Sequence, residues 1–286
     1  MSSNDSVRAS SLKEDGLAQL SRSTENAKRI KTVQDKFVNS QPLMKEGRAL
    51  VGEGILMKVC RKKPKQRAFF LFNDILVYGR VVITGRKYSQ QKIIPLNEIQ
   101  ISTPIDSEGR KKNDICFFFI ELNLINTQLE NPYSWLICSP KKSFIVRANS
   151  DRERQEWLTH LERCIQSACG GNTTQHKAVA AYWVPDDKAD TCMHCHISKF
   201  STYNRKHHCR NCGYIVCEGC SKNRFLLPHL DSKRVRVCDS CFSKLNMNNM
   251  NDSHPNQRDS SDSDGEENHA NYSPIPATFY QNIENL

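Results

Sequence analysis

The chain has 286 residues, with 41 Lys or Arg against 31 Asp or Glu, so its formal net charge at pH 7 is +10. This length accommodates about two domains of roughly 100–200 residues each. A composition of 38% hydrophobic and 25% charged residues excludes a wholly disordered or collagen-like chain. No apolar run approaches the roughly 20 residues that span a bilayer, and no signal-peptide segment opens the sequence. We therefore expect a protein made in the cytosol that is soluble or bound to a membrane surface.

The chain begins with a polar segment and a helical pattern. Residues 1–24 are polar and are expected to be disordered. Within 25–47, the apolar residues Ala27, Ile30 and Val33 recur at helical spacing, which predicts a helix followed by a lead-in segment.

Residues 48–169 are predicted to form a small β-rich domain. Eight short strands are predicted, at 54–59, 69–72, 75–78, 81–84, 92–95, 99–102, 134–138 and 143–146. A closing helix is predicted over 151–169, with Asp151 as its N-cap and Trp157 on its apolar face. Several strands followed by one helix indicate an α+β domain, a small antiparallel barrel or sandwich with a C-terminal helix.

Three further segments complete the chain. Residues 170–182 contain Gly, Asn and Thr and are interpreted as a linker, and 183–245 form a cysteine-rich module. Residues 246–286 carry seven acidic side chains against one arginine and are predicted to be a disordered acidic tail.

Eight of the 13 cysteines form four Cys-x-x-Cys pairs. The pairs are Cys192 with Cys195, Cys209 with Cys212, Cys217 with Cys220, and Cys238 with Cys241. Two such pairs make one tetrahedral Cys₄ zinc site, so the spacing predicts two zinc ions, both structural because no coordination position is left for water. Spacing alone leaves the pairing open. The two middle pairs could share one site, or the first could combine with the third and the second with the fourth.

Two groups of basic residues accompany these elements. Arg205, Lys206, His207, His208 and Arg210 surround one cysteine pair, and such crowded donors suit a phosphate dianion. A solvated basic loop, or a histidine as a spare zinc ligand, are the alternatives. The second group lies between the first two predicted strands and contains Lys58, Arg61, Lys62, Lys63, Lys65 and Arg67. It is either a solvated hairpin loop or a phosphoinositide site.

The cysteine module closely resembles a FYVE zinc finger. The resemblance rests on Arg-Lys-His-His-Cys-Arg at 205–210, Trp183-x-x-Asp186 upstream and Arg236-Val237-Cys238 downstream. FYVE domains bind phosphatidylinositol 3-phosphate on endosomal membranes and pair their cysteines in the interleaved way. The resemblance implies one zinc at Cys192, Cys195, Cys217 and Cys220, and a second zinc at Cys209, Cys212, Cys238 and Cys241.

The same resemblance implies a lipid headgroup site. It assigns the headgroup to Arg205, Lys206, His207, His208, Arg210 and Arg236, with Asp186 accepting hydrogen bonds from inositol hydroxyls. It places the membrane-inserting tip at Thr202 and Tyr203. Only Tyr203 carries much apolar area there, so we expect weak insertion.

The β-rich domain resembles a lipid-binding pleckstrin-homology (PH) domain. The spacing Lys58-x₆-Lys65-x-Arg67 is similar to the basic pattern of that family and implies a second lipid site at these three residues. The order of helix, PH domain, FYVE domain and acidic tail is similar to the phafin family, as are Gly52-Glu-Gly-Ile-Leu56 and Phe70-Leu-Phe-Asn-Asp-Ile-Leu-Val-Tyr78. Residues 111–132 depart from that pattern, as an insertion, a strand extension or a gene-model artefact.

The phafin resemblance implies a non-enzymatic adaptor in endosomal traffic and autophagy. It would be recruited through phosphatidylinositol 3-phosphate to the cytoplasmic face of endosomal and lysosomal membranes, with a second phosphoinositide at the PH domain. The competing hypotheses are a RING-like ubiquitin ligase and a nucleic-acid-binding zinc protein. RING domains usually include a histidine ligand, and the basic residues here form no stripe with stacking aromatics. The spare cysteines Cys60, Cys116, Cys138, Cys164 and Cys169 show no catalytic signature.

Overall fold

The structure is a computed structural model that describes residues 17, 19–103, 131–170, 178–248 and 276–280. Helix α1 runs over Thr24–Lys36, within the segment where the helical spacing predicted a helix. Ser23 caps α1, since its hydroxyl accepts a hydrogen bond from the Glu25 amide at 3.2 Å. Ile30 and Val33 bury the apolar face of α1 against the sheet.

One antiparallel sheet of eight strands forms the larger domain. Its strands are β1 Leu50–Lys58, β2 Lys65–Phe72, β3 Ile75–Ile83, β4 Lys87–Pro95, β5 Gln100–Ser102, β6 Ser134–Cys138, β7 Phe144–Arg147 and a C-terminal strand described below. The order along the sheet is β4-β3-β2-β1-β7-β6-β5, so β1 lies between β2 and β7 and joins the two halves of the sheet. The predicted strand 81–84 is not separate, because β3 continues through Val81 to Ile83. The predicted departure at 111–132 lies, up to residue 130, outside the described residues.

Helix α2, Asp151–Ala168, closes this domain. Trp157 is fully buried and packs edge-on against Phe69, with ring centroids 6.4 Å apart. The prediction of Asp151 as N-cap is wrong. Ser150 holds that position with extended backbone, and its hydroxyl accepts from the Glu153 amide at 3.2 Å. The fold is thus the predicted antiparallel β domain with a C-terminal helix.

The cysteine-rich module contains little regular structure. Its elements are the short hairpins of β8 His207–His208 with β9 Ile215–Val216 and β10 Arg224–Leu226 with β11 Arg234–Arg236, followed by helix α3 Asp239–Asn248. The main buried cluster of this module consists of five cysteines with Val216 and Val237. So small an apolar core cannot hold a fold together unaided.

Two predicted boundaries differ from the structure. The end of the predicted linker is packed against the sheet domain: Ala180 donates its amide to the Ser139 carbonyl at 2.9 Å, and Tyr182 forms a bridge with Ser143. The tail predicted to be disordered over 246–286 is ordered at 276–280, where strand β12, Thr278–Phe279, pairs antiparallel with β1. Composition identified the tail as polar overall and could not reveal a short aromatic segment with a partner strand.

One buried amide adds hydrogen bonds to the apolar contact between α1 and the sheet. Asn26 is 1% exposed, and its side chain donates to the Arg48 carbonyl and accepts from the Leu50 amide, both at 2.9 Å. Asn26→Leu leaves both backbone groups unpaired in a buried site. We expect the free energy of unfolding to fall by about 2 kcal/mol or more.

Denaturant unfolding of the full chain measures this loss. The matched control is Lys31→Leu on the exposed face of the same helix, which should change stability by no more than about 0.5 kcal/mol. Equal stability of the two variants would contradict the role assigned to Asn26.

Candidate metal centres and anion-binding site

The structure gathers the eight paired cysteines into two groups of four. Cys192, Cys195, Cys217 and Cys220 form one group, and Cys209, Cys212, Cys238 and Cys241 form the other. Within each group the sulfur atoms all lie within 4.8 Å of one another. The pairing is therefore interleaved, first with third and second with fourth, as the FYVE resemblance implied.

The sulfur geometry fits zinc. Tetrahedral coordination with Zn–S bonds of about 2.3 Å places two sulfurs about 3.8 Å apart. Cys212 Sγ and Cys238 Sγ lie 3.9 Å apart. Backbone amides also point at sulfur: Cys217 N–H donates to Cys192 Sγ at 3.3 Å, and Cys238 N–H donates to Cys209 Sγ at 3.2 Å. Such bonds stabilise thiolates, so the module holds two structural zinc ions.

The basic cluster is built directly on the second of these groups. Strand β8 carries His207 and His208 immediately before the ligand Cys209, and Arg236 lies two residues before Cys238. The backbone also joins the two arms, because Arg210 donates its amide to the Arg236 carbonyl at 2.9 Å. Zinc coordination therefore fixes where these cations stand.

The two histidines have different environments. His208 is 3% exposed, stacks on Trp183 with ring centroids 5.2 Å apart, and places Nε2 2.7 Å from the Val184 carbonyl. His207 is partly exposed and lies 2.8 Å from a Glu218 carboxylate oxygen. Burial lowers the pKa of both imidazoles, and Arg236 adds to the lowering at His207.

Glu218 is a residue of this cluster that the sequence analysis missed. One of its carboxylate oxygens is shared by His207 and by Arg236, whose Nη1 lies 3.0 Å away. Arg236 Nη1 also donates to the Ser221 carbonyl at 2.9 Å. Glu218 lies between the two cysteines of one pair, and nothing in the sequence around it indicated that its side chain faces the basic motif.

Trp183 and Asp186 are held against the cluster by a close backbone approach at Gly213. Gly213 has φ +81°, and a Cβ on it would overlap the Tyr182 carbonyl oxygen. Val184 donates its amide to the Gly213 carbonyl at 3.1 Å. Arg210 then stacks over the Trp183 ring at 4.0 Å, which fixes its guanidinium without using all its donors.

Asp186 connects the two domains at this site. Its Oδ2 lies 3.3 Å from Arg61 Nε of the β1–β2 loop, and its amide donates to the Arg61 carbonyl at 2.9 Å. Lys206 donates to the Asp186 carbonyl. The other carboxylate oxygen, Oδ1, is buried without a hydrogen-bond partner in the described part of the chain, and His208 Nε2 lies 3.8 Å from it. An acceptor so placed is suited to a ligand hydroxyl.

The remaining predicted residues lie at the surface of the module or in the other domain. Arg205, Thr202 and Tyr203 are exposed, Tyr203 to 99%. In the PH-like domain, Lys58 and Lys65 are direct cross-strand partners at the end of the β1–β2 hairpin. Lys58 is only 5% exposed, and its ammonium lies 4.4 Å above the Phe144 ring.

Comparison with known proteins agrees with both halves of this architecture. A family model of the PH domain matches residues 50–166, and a model of the FYVE zinc finger matches residues 182–247. The fold and the site therefore define a PH–FYVE protein with two structural zinc ions. Proteins of this type are phosphoinositide-binding adaptors that associate with membrane surfaces.

The relatives specify the family. Pleckstrin homology domain-containing family F member 2 of Gallus gallus is 45% identical over 229 residues, which cover 79% of this chain and 84% of that protein. Member 1 of Homo sapiens is 44% identical over 225 residues, 77% of this chain and 72% of the relative. An uncharacterized protein of Caenorhabditis elegans is 42% identical over 223 residues, 77% and 76% of the two chains. The chain belongs to this family, the phafins.

In the described part of the chain, no helix combines the length and apolar composition needed to cross a bilayer. The FYVE and PH matches also favour lipid binding over the RING-like and nucleic-acid-binding alternatives.

Zinc content tests the two centres. The full chain should contain two zinc ions per molecule by elemental analysis. Cys209→Ser removes one ligand of a four-cysteine site, so we expect that variant to lose zinc and to expose the module to proteolysis, because metal binding supplies on the order of 10 kcal/mol to such a fold.

Cys169→Ser is the matched control, since Cys169 caps the end of α2 and belongs to neither group. It should retain both ions. A native content of one zinc, or a Cys209→Ser variant that keeps two, would refute the assignment.

Proposed function

We propose that this protein is a non-enzymatic adaptor that binds phosphatidylinositol 3-phosphate through its FYVE domain on the cytoplasmic face of endosomes and lysosomes. Membership of the phafin family supports this proposal. The observation that carries it is a set of contacts. Lys206 and His208 lie beside Asp186, whose Oδ1 has no partner among the described residues. His207 and Arg236 meet at Glu218, and the Arg210 backbone bonds to Arg236.

The cluster suits a phosphate next to free hydroxyls. Arg205 is exposed and Arg210 and Arg236 are held by contacts that leave donors available, so several charge-assisted hydrogen bonds can form to one phosphate. Asp186 Oδ1 supplies an acceptor for an adjacent inositol hydroxyl. An inositol monophosphate with free hydroxyls beside its phosphate satisfies both the cations and the Asp186 acceptor. A second phosphate on the neighbouring ring carbon would place another negative charge against Asp186.

Membrane insertion adds a small apolar contribution. The loop before the basic motif is held by Asn204, which donates its amide to the Ser201 hydroxyl at 3.1 Å and its side chain to the Lys199 carbonyl at 2.7 Å. This turn leaves Tyr203 almost wholly exposed. One tyrosine buries less apolar area than a pair of leucines or phenylalanines would, so we assign further affinity to the PH domain.

The second lipid site proposed at the PH domain comprises Lys58, Lys65 and Arg67. The ion pair between Arg61 and Asp186 brings this hairpin next to the FYVE site, so the two can face one membrane together. Linked weak sites gain affinity by effective concentration, without any new contact. An adaptor held by two such sites would serve endosomal traffic and autophagy, as the family resemblance implies.

Vesicle flotation tests the FYVE ligand. Vesicles of phosphatidylcholine should carry a few mole per cent of phosphatidylinositol or of its 3-, 4- or 5-phosphate. We expect the full chain to prefer the 3-phosphate, and Arg205→Ala to weaken that binding about tenfold, because a charge-assisted hydrogen bond is lost.

Arg152→Ala is the matched control, since Arg152 is 88% exposed on helix α2 and pairs only with Glu156 among its described ion pairs. It should bind as the unmodified chain does. Equal binding of all three monophosphates, or no loss with Arg205→Ala, would rule out the proposed ligand site.

The PH contribution is tested with Lys65→Ala and Arg67→Ala together. Lys58 is left intact because its buried contact with Phe144 would confound the result. If both domains engage the membrane, this variant should bind 3-phosphate vesicles at least about tenfold more weakly than the unmodified chain. Lys28→Ala with Lys31→Ala on the exposed face of α1 removes the same charge and should have little effect. Equal losses from the two double variants would show a general charge effect and no PH site.

A further inference from the structure

Strand β1 has one edge that its neighbours only partly use. β2 pairs with β1 from Leu50 to Lys58, but on the opposite edge β7 reaches only Met57 and Lys58. The other half of that edge, at Gly52 and Glu53, is paired instead with Phe279 and Thr278 of β12. Tyr280 also donates its amide to the Val51 carbonyl at 2.9 Å. The part of a strand edge that its sheet neighbour leaves unpaired is the usual receptor for an added peptide strand, and here β12 occupies it.

The groove beside this edge is shaped for particular side chains. A Cβ on Gly52 would overlap the Phe279 ring, and a Cβ on Gly54 would stand 3.0 Å from Ala277 Cα. The missing side chains of these two glycines thus make the space that the segment fills. Gly52-Glu53-Gly54 lies in the middle of a strand, where glycine is otherwise unfavourable, so its presence there matches close approach by another chain segment.

Helix α2 forms the far wall of the groove. Phe279 stacks on His160 with ring centroids 4.2 Å apart and an interplanar angle of 11°. It also meets Trp157 edge-on, at 5.2 Å. Ala277 and Phe279 both pack against the main core of the PH domain, as alternate residues of one strand do.

Tyr280 is bound on the other face of the segment. Its hydroxyl donates to the Glu53 carboxylate, and the Arg29 guanidinium of α1 lies 4.3 Å above its ring. Burial, followed by the bond to Glu53, raises the pKa of Tyr280. The segment therefore contacts β1, α1 and α2, although at least 27 residues separate it from α3 in the sequence.

We propose that the PH domain carries a second, peptide-binding site between the β1 edge and α2, and that its resident ligand is this chain's own segment Pro276–Tyr280. The ligand class is an extended peptide with a small residue, one intervening residue and two aromatics, as in Ala277-Thr278-Phe279-Tyr280. Strand pairing supplies affinity and the two aromatic positions supply specificity. The groove is separate from the lipid hairpin, because Gly52 and Lys58 are six residues, or about 20 Å, apart along β1.

A peptide added in trans tests this site. The full-length chain is compared with a chain ending at residue 275, and a synthetic peptide of residues 275–286 is titrated into each. We expect one peptide to bind per truncated chain, to change the tryptophan fluorescence because Phe279 contacts Trp157, and to restore the melting temperature toward that of the full chain. The full chain, whose groove is filled, should bind the peptide at least about tenfold more weakly.

Two variants make the result specific. Phe279→Ala in the peptide should weaken binding about ten- to a hundredfold, because the ring that fills the groove is gone. Thr278→Ala is the matched control, since Thr278 is exposed, and it should bind normally. Gly52→Ala in the truncated chain should abolish binding, and a circular dichroism spectrum equal to that of the truncated chain would show that this variant is folded.

Three outcomes would overturn the proposal. The first is no binding of the peptide to the truncated chain at millimolar concentration, and the second is equal binding of the Phe279→Ala peptide. The third is a full-length dimer in light scattering that Phe279→Ala dissociates, because the resident ligand would then come from a second copy. We expect the lipid-site variants to bind the peptide normally even where they lose vesicle binding, so the two proposals are tested independently.

Discussion

Tetrahedral coordination by cysteine sulfur is the constraint on which the lipid-binding half of this protein depends. The FYVE module has few buried apolar side chains, and its main buried cluster consists of five cysteines with Val216 and Val237. Zinc coordination therefore replaces a hydrophobic core. The same bonds place the functional residues, because His208 and Arg210 flank the ligand Cys209 and Arg236 precedes the ligand Cys238 by two positions. Structure and binding surface cannot be separated here: the residues that hold the metal are interspersed with those proposed to meet the lipid.

Sequence patterns predicted most of this architecture, for reasons that differ between the domains. In the PH domain, short apolar runs bounded by turn residues predicted nearly all strands, because strands such as β2 and β6 are buried on both faces. Helical spacing of apolar residues predicted α2. In the FYVE module, ligand spacing predicted the zincs, but spacing alone permitted two pairings. Only the family resemblance or the structure selects the interleaved one.

Apart from the N-cap of α2 and the continuous strand β3, the features that sequence could not predict involve residues distant along the chain. Glu218 comes from a cysteine pair of the first group and meets His207 and Arg236, which precede ligands of the second group, so the contact depends on how the two groups pack together. Arg61 meets Asp186 across a domain boundary, and the end of the linker packs on the β6–β7 hairpin through Ala180. The docked segment 276–280 lies within a polar tail whose composition masks it. No periodicity reports such contacts, since each depends on how separate elements pack.

The Glu218 carboxylate sets a threshold for anions that approach the basic cluster. Because it already neutralises part of the charge on Arg236 and also contacts His207, an incoming group must compete with a resident anion before it gains full Coulomb attraction. A phosphate monoester with two negative charges can displace a single carboxylate, whereas a phosphodiester with one charge gains little by the exchange. If the proposed function is right, the exchange with Glu218 favours a doubly charged headgroup over the abundant singly charged ones. An acidic side chain within a basic cluster thus increases the selectivity for doubly charged phosphates and lowers the affinity for all anions.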